Sequence, residues 1–169
     1  VACAVILPEG LCIAGADDSK RLTSTRRLEL AAAIRASGAS VGLGAASPRE
    51  IDRLNILQAT TLAMRRALAA LPSPPDHVVV DGRPVRGLGV EHEAVVGGDG
   101  LIHCISCASI VAKVLRDDLM QRLAHRYPGY GWETNVGYGT KAHRDALEAQ
   151  GPTPHHRRSF LGLQHRLEL

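Results

Sequence analysis

The sequence predicts an α/β fold with a partly parallel sheet, and three observations carry that prediction. Apolar runs of strand length occur at residues 1–8, 77–82 and 91–96, while longer segments space their apolar residues by three and four, as helices do. The two kinds follow one another in mixed order, and turn residues separate them. At 169 residues the chain has the size of one domain and enough material for a real core.

Residues 1–8 read as a strand buried on both faces and stopped by Pro8 and Gly10. It starts at the first residue with no turn or polar leader, so a segment is expected to precede it. A polar loop at 15–22 leads to Thr23, an N-cap for a helix that runs to about Ser37 and stops at Gly38. Residues 39–46 alternate weakly and read as a strand with glycines in it. Ser47, Pro48 and Glu50 then form a capping box with proline at the first helical position. The helix they open is expected to continue to just before Pro72, with Ile51, Leu54, Leu57, Thr61, Met64 and Leu68 along one face.

Residues 72–75 make a linker too short to separate domains. The run 77–82 is a compact strand whose last residue, Asp81, stands at a turn before Gly82, and 91–96 is a further strand. Residues 97–100 read as a flexible turn into the next helix. That helix should bury Ala108, Val111 or Ala112, Leu115 and Leu119, leaving Asp117 on a neighbouring stripe with Ile110, Lys113 and Val114. A glycine-aromatic loop follows at 127–132. Thr140 caps a last helix that ends at Gly151, and beyond Phe160 the pattern suits an amphipathic turn or two.

A net charge of +3 permits a polyanionic partner without requiring one. With aromatics at 3%, extensive base-stacking platforms are excluded, so nucleic-acid contact would work mainly through phosphates and sugars. No apolar run is long enough to span a bilayer, and a soluble chain is expected. Four cysteines offer only one tight pair, Cys104 and Cys107, where a zinc ribbon needs two. Buried free thiols are expected instead, which fits a reducing cytoplasm.

Two acids at the borders of core elements are the chemical candidates. Asp81 ends a strand, where α/β sheets build their sites, but an Asp-Gly pair also suits an ordinary turn. Asp117 is either a solvated helix-border acid or a carboxylate aimed into a site. The His155, His156, Arg157, Arg158 cluster reads as structural, its arginines pairing acids or helix ends.

Several stretches together resemble type 2 ribonuclease H, the bacterial ribonuclease HII family. Asp17-Asp18-Ser19-Lys20-Arg21-Leu22-Thr23 resembles its N-D-S-K-K-L-S loop, and Glu50-Ile51-Asp52-Arg53-Leu54-Asn55-Ile56-Leu57 its E-I-D-x-L-N-I-L helix. Val80-Asp81-Gly82 is similar to its strand-end D-G, and the stretch from Ala108 through Lys113 to Asp117 to its A-S-I-x-A-K-V-x-R-D helix. Gly137-Tyr138-Gly139-Thr140 and the His155 to Phe160 stretch complete the family order.

The resemblance implies a ribonuclease H-like mixed sheet flanked by helices, one type-2 domain over 1–169 with a helical C-terminal part from about 126. It implies a metal-dependent endoribonuclease that cuts the RNA strand of RNA–DNA hybrids and cleaves at single ribonucleotides embedded in duplex DNA. Two divalent cations, Mg2+ or Mn2+, would be held by carboxylates, with Asp81 and Asp117 as catalytic metal ligands. Tyr138 would pack at the ribonucleotide–DNA junction or, read alone, cap the core. Ser19, Lys20 and Asn55 resemble phosphate-facing positions, although Lys20 could equally be a solvated charge and Asn55 a helix-face hydrogen-bonder. A cytoplasmic monomer is implied as well.

The sequence also departs from the family. The D-E-x-G-R-G motif of the family's first strand, with two of its four acids, is not among these residues, and that strand is the centre of the family's sheet. Val136 and Gly97 stand where the family usually has lysine. An N-terminally truncated domain with little or no cleavage is therefore expected, because two carboxylates hold two hard cations less well than four. The alternative is a non-catalytic nucleic-acid-binding remnant of the same family.

Overall fold

In the computed structural model, residues 1–160 are described, and they form two compact units. One comprises residues 1–46 and 57–114, the other residues 47–56 and those from 115 on.

In the first unit, β1 (Ala2–Ile6) pairs antiparallel with β2 (Ser40–Gly44), Ala2 lying opposite Gly44 and Ile6 opposite Ser40. Between them runs α1 (Ser24–Ala36), opened by Thr23, whose side chain accepts the Arg26 amide at 3.2 Å. The helix turns Leu30, Ala31 and Ile34 onto Ile13 and onto Cys107, Ile110 and Val111 of α4 (His103–Arg126). Ile34, Ile110 and Val111 are fully buried. Each such side chain contributes about 1.5–3 kcal/mol. A short parallel ladder joins β3 (Val79–Asp81) to β4 (Glu93–Val95), with Val80 buried and Asp81 exposed at its end.

The second unit holds α2 (Pro48–Leu54), the C-terminal half of α4, α5 (Trp132–Asn135), α6 (Lys141–Gln150) and a 3₁₀ turn, Arg158–Phe160. Its core packs Ala124, Tyr130 and Trp132 with Met120, Leu123, Tyr127, Ala146 and Leu147. The capping box at Ser47 is formed in both directions, the Ser47 side chain taking the Glu50 amide and the Glu50 carboxylate taking the Ser47 amide. On α2, Asp52 accepts the Arg158 and Ser159 amides at 3.1 and 2.9 Å and the Ser159 hydroxyl at 2.6 Å.

The chain is thus mixed α/β, helix-rich, with one antiparallel and one parallel strand pair among the described residues. Five local expectations are corrected. The single helix expected from Pro48 to Pro72 is two, because Asn55 closes α2 at φ 71 and α3 (Ile56–Ala69) starts afresh. Of the face expected on α3 only Thr61 is buried, while Leu57 is 72% exposed and Ala59, Ala63 and Ala67 take the buried positions instead. The cause lies on β2, where a β-carbon at Gly44 would fall on the Ala63 carbonyl oxygen and one at Gly42 on that of Ala67. Sheet and helix backbones meet there directly, and only an alanine face fits.

On α4, Cys107, Ile110 and Val111 form the buried face, whereas Leu119 is exposed. The expected flexible turn at 97–100 is an ordered 3₁₀ turn, Gly98–Gly100, with Gly98 and Asp99 buried. All four cysteines are free, but only Cys107 is buried and Cys12 is exposed. The turns expected beyond Phe160 lie outside the described residues. Among the described residues, no helix is long and apolar enough to cross a membrane.

Candidate active site

Within the first unit the polar groups gather around the end of β3. Asp81 is placed by its ladder to β4, and one carboxylate oxygen, Oδ1, accepts the backbone N–H of Gly98 at 2.9 Å. Gly98 opens the 3₁₀ turn, which Ser106 of α4 holds by donating its hydroxyl to the Asp99 carbonyl at 2.7 Å. The Asp99 side chain takes the Lys20 ammonium at 2.7 Å.

Lys20 itself belongs to a loop folded on its own acids. The Asp18 amide donates to Asp17 Oδ1 at 2.7 Å and the Lys20 amide to Asp18 Oδ1 at 2.9 Å. The hydrogen bond to Asp99 holds the Lys20 pKa above its ordinary value, and the Lys20 amide holds that of Asp18 below its own. Ser19 is buried, and its carbonyl accepts Arg27 Nη1 at 3.0 Å. The Lys20 side chain is 74% exposed despite its pairing, so it remains open to solvent.

In the second unit, α4 presents Arg116 and Asp117 in succession, both half-buried. Arg116 Nη1 donates to the Val136 carbonyl at 2.7 Å, and its guanidinium lies 5.8 Å from the centroid of the Tyr138 ring. The turn carrying Tyr138 is tied from below by the buried Asn135. Its amide nitrogen donates to the Tyr130 carbonyl and its amide oxygen accepts the Gly137 N–H, each at 2.8 Å. The Tyr138 ring stays 64% exposed. Asn55 lies exposed at the end of α2, its N–H bonded to the Ile51 carbonyl.

Asp81 therefore belongs with Lys20 and Ser19 to the first unit, and Asp117 with Tyr138 and Asn55 to the second. Among the described residues, no three His, Cys, Asp or Glu side chains gather as a chelating group.

Residues 1–163 match the family model for Ribonuclease HII. A Ribonuclease HII of Cereibacter sphaeroides is 57% identical over 155 residues, spanning 91% of this chain and 70% of the relative. The chain belongs to the ribonuclease HII family. Ribonuclease HII proteins are hydrolases, and this chain is accordingly assigned to that enzyme class. Among solved structures, the ribonuclease H2 from Pyrococcus horikoshii shares the fold with a TM-score of 0.69 at 23% identity, over 94% of this chain and 92% of that one. Bst-RNase HIII in complex with Mn2+ overlaps with a TM-score of 0.57 at 20% identity, over 81% of this chain and 51% of that one.

Against that ribonuclease HII background, sequence reasoning missed the groups that hold the candidates in place. Gly98, Asp99 and Ser106 act on Asp81 and Lys20, and Arg116 and Asn135 act on the Tyr138 turn. One signal was within reach: an Asn two residues before a glycine, as Asn135 is to Gly137, commonly folds its side chain onto that glycine's amide.

Proposed function

We propose that this chain is built for endonucleolytic hydrolysis of the RNA strand in RNA–DNA hybrids and at single ribonucleotides embedded in duplex DNA. The observation that carries the reading is membership of the ribonuclease HII family over residues 1–163. Asp81, from the end of β3, and Asp117, from α4, would serve as ligands of divalent cations, Mg2+ or Mn2+. Their donor chemistry fits, since hard cations take carboxylate oxygens. Asp81 fits in a further respect: one oxygen is aimed by Gly98, and the carboxylate has no other hydrogen bond or ion pair among the described residues. The Mn2+ bound by Bst-RNase HIII supports a divalent ion of this kind. When bound, such ions supply activation of the attacking water and stabilisation of the leaving 3′ oxygen.

The remaining residues bind and orient. Lys20 would approach phosphate with Ser19 in the same loop, Asn55 would contact the backbone from the end of α2, and the exposed Tyr138 ring would read the ribonucleotide–DNA junction. In bacteria such a protein would act as a cytoplasmic monomer.

By itself the chain is expected to cleave weakly or not at all, because the D-E-x-G-R-G acids are not among its residues. Val136, at a position where the family usually carries lysine, favours a second reading: duplex binding without cleavage. The deciding assay is cleavage of a DNA duplex with one ribonucleotide, in Mg2+ or Mn2+. This chain is compared with a version carrying a D-E-x-G-R-G strand ahead of Val1. Strong cleavage by the longer protein alone supports the enzyme reading, and binding without cleavage by both supports the second. Robust cleavage by the chain itself that survives Asp81→Asn overturns the site assignment.

A further inference from the structure

We propose that Arg116 is a positioning residue for substrate discrimination: it fixes the Val136–Gly137–Tyr138 turn and thereby sets the angle at which the Tyr138 ring meets a duplex. This rests on the reading of Tyr138 as the contact to the ribonucleotide–DNA junction.

Val136 adopts φ 42 and ψ 36, the left-handed region, where a β-branched residue is a genuine outlier. Such a backbone persists only where its surroundings over-determine it. Arg116 supplies that determination on one side, with a charge-assisted bond from Nη1 to the carbonyl of the strained residue itself. Asn135 supplies it on the other, by taking the Gly137 amide. The next residue is the exposed tyrosine.

The guanidinium does two things at once. Its edge donates to Val136, and its carbon lies 5.8 Å from the Tyr138 ring centroid. A planar fork can combine these contacts, whereas an ammonium can make only one of them well. Gly137 leaves room for the arrangement, since a β-carbon there would stand 3.4 Å from Arg116 Nη2 and 3.2 Å from Met120 Cε. Without Arg116, the strain at Val136 relaxes and the ring loses its fixed orientation, while the buried core at Tyr130 and Trp132 keeps its own contacts.

The test measures affinity without divalent cation, so that cleavage does not interfere. The probes are a DNA duplex with one ribonucleotide and an all-DNA duplex of the same sequence. Arg116→Gln should weaken binding to the ribonucleotide duplex about five- to tenfold, the worth of one hydrogen bond and one exposed stacking contact. It should change all-DNA binding less than about twofold, and Arg116→Lys should recover part of the loss. In a Tyr138→Ala background the Arg116→Gln loss should vanish to within about twofold, as for two residues acting through one contact.

Amide exchange gives a readout independent of substrate: the Val136 and Tyr138 amides should exchange about tenfold faster in Arg116→Gln, with Trp132 unchanged. Unchanged loop exchange overturns the proposal. An equal binding loss with and without Tyr138 also overturns it, since Arg116 would then touch the duplex itself. If Tyr138→Ala alone leaves affinity intact, it is the reading of Tyr138 that falls, and the discrimination role of Arg116 falls with it, whatever the exchange rates do.

Discussion

The backbone amide of Gly98 donates to Oδ1 of Asp81 at 2.9 Å, so the acid at the end of β3 has one oxygen aimed by the first residue of a buried turn. An asparagine at 81 could still accept that bond through its amide oxygen. Asp81→Asn should therefore leave melting within about 0.5 kcal/mol of the parent, as an exposed isosteric change does. In the version carrying the D-E-x-G-R-G strand, the same change should lower metal-dependent cleavage about a hundredfold or more, and chelation of the metal should abolish it. A single-ribonucleotide cleavage assay beside a thermal melt separates the two effects.

Lys20 is expected to act on phosphate rather than on sequence. Lys20→Met should weaken binding to every duplex alike and reduce the slope of log affinity against log salt by about 1. A salt titration of binding checks this, and an unchanged slope would leave Lys20 as a partner of Asp99 and Asp18 only.

The contact between β2 and α3 has no slack. Gly44→Ala or Gly42→Ala would press a methyl onto a helix carbonyl, and neither backbone can yield cheaply. Each should cost about 3 kcal/mol or more, at the upper end for overpacking. Urea unfolding followed by far-UV circular dichroism measures the loss.

His156 makes the second unit sensitive to acid. The ring is 7% exposed, stacked 5.3 Å from His143, with Trp132 tilted against it at 4.8 Å, Tyr130 at 4.9 Å and His155 next to it in the chain. Its Nδ1 accepts the Thr153 amide at 3.0 Å, and its Nε2 is buried with no partner among the described residues. Burial first, and then the neighbouring His143, push its pKa from 6.5 down to about 4. The unfolded chain takes up this proton near pH 6.5 and the folded chain only near 4, so stability falls as pH drops through that window. The loss from this group reaches at most about 3.5 kcal/mol, at about 1.4 per unit. Melts between pH 7 and 4 should show the slope, and His156→Phe should flatten it even though its baseline is lower.

The thiols should separate by access. Cys12 is exposed, whereas burial raises the pKa of Cys107 to about 11 and that of Cys3 to about 12. A thiol-reactive chromophore should titrate one cysteine rapidly in the native protein and the rest only on unfolding. Two rapid equivalents would mean that Cys104, half-buried with a raised pKa, is open as well.

What the sequence disclosed was local chemistry. The caps at Thr23, Ser47 and Thr140 each rest on a bond to a residue three positions on, and all three form as expected. The strand ending at Asp81 was legible from an equally local signal, a short apolar run that stops at an Asp-Gly turn. Contacts across longer separations were not: Asp81 and Gly98 are 17 residues apart, and Arg116 and Val136 are 20 apart. The alanine face of α3 was hidden too, because glycines on β2 decide it, and so was the break at Asn55, where a non-glycine residue takes φ 71. Periodicity favoured the leucines, and close backbone approach outweighed it.

The aromatic residues have an optical consequence. The chain has three tyrosines, one tryptophan and one phenylalanine, and all five, Tyr127, Tyr130, Trp132, Tyr138 and Phe160, fall in the second unit. Near-ultraviolet absorbance and intrinsic fluorescence therefore report on that unit alone, and the unit bearing Asp81 is spectrally silent. Trp132 is the one indole emitter; it stacks on Tyr130 and lies tilted against His156. Its emission follows the ring stack through acid titration, whereas β1, β2 and α3 carry no aromatic reporter of their own.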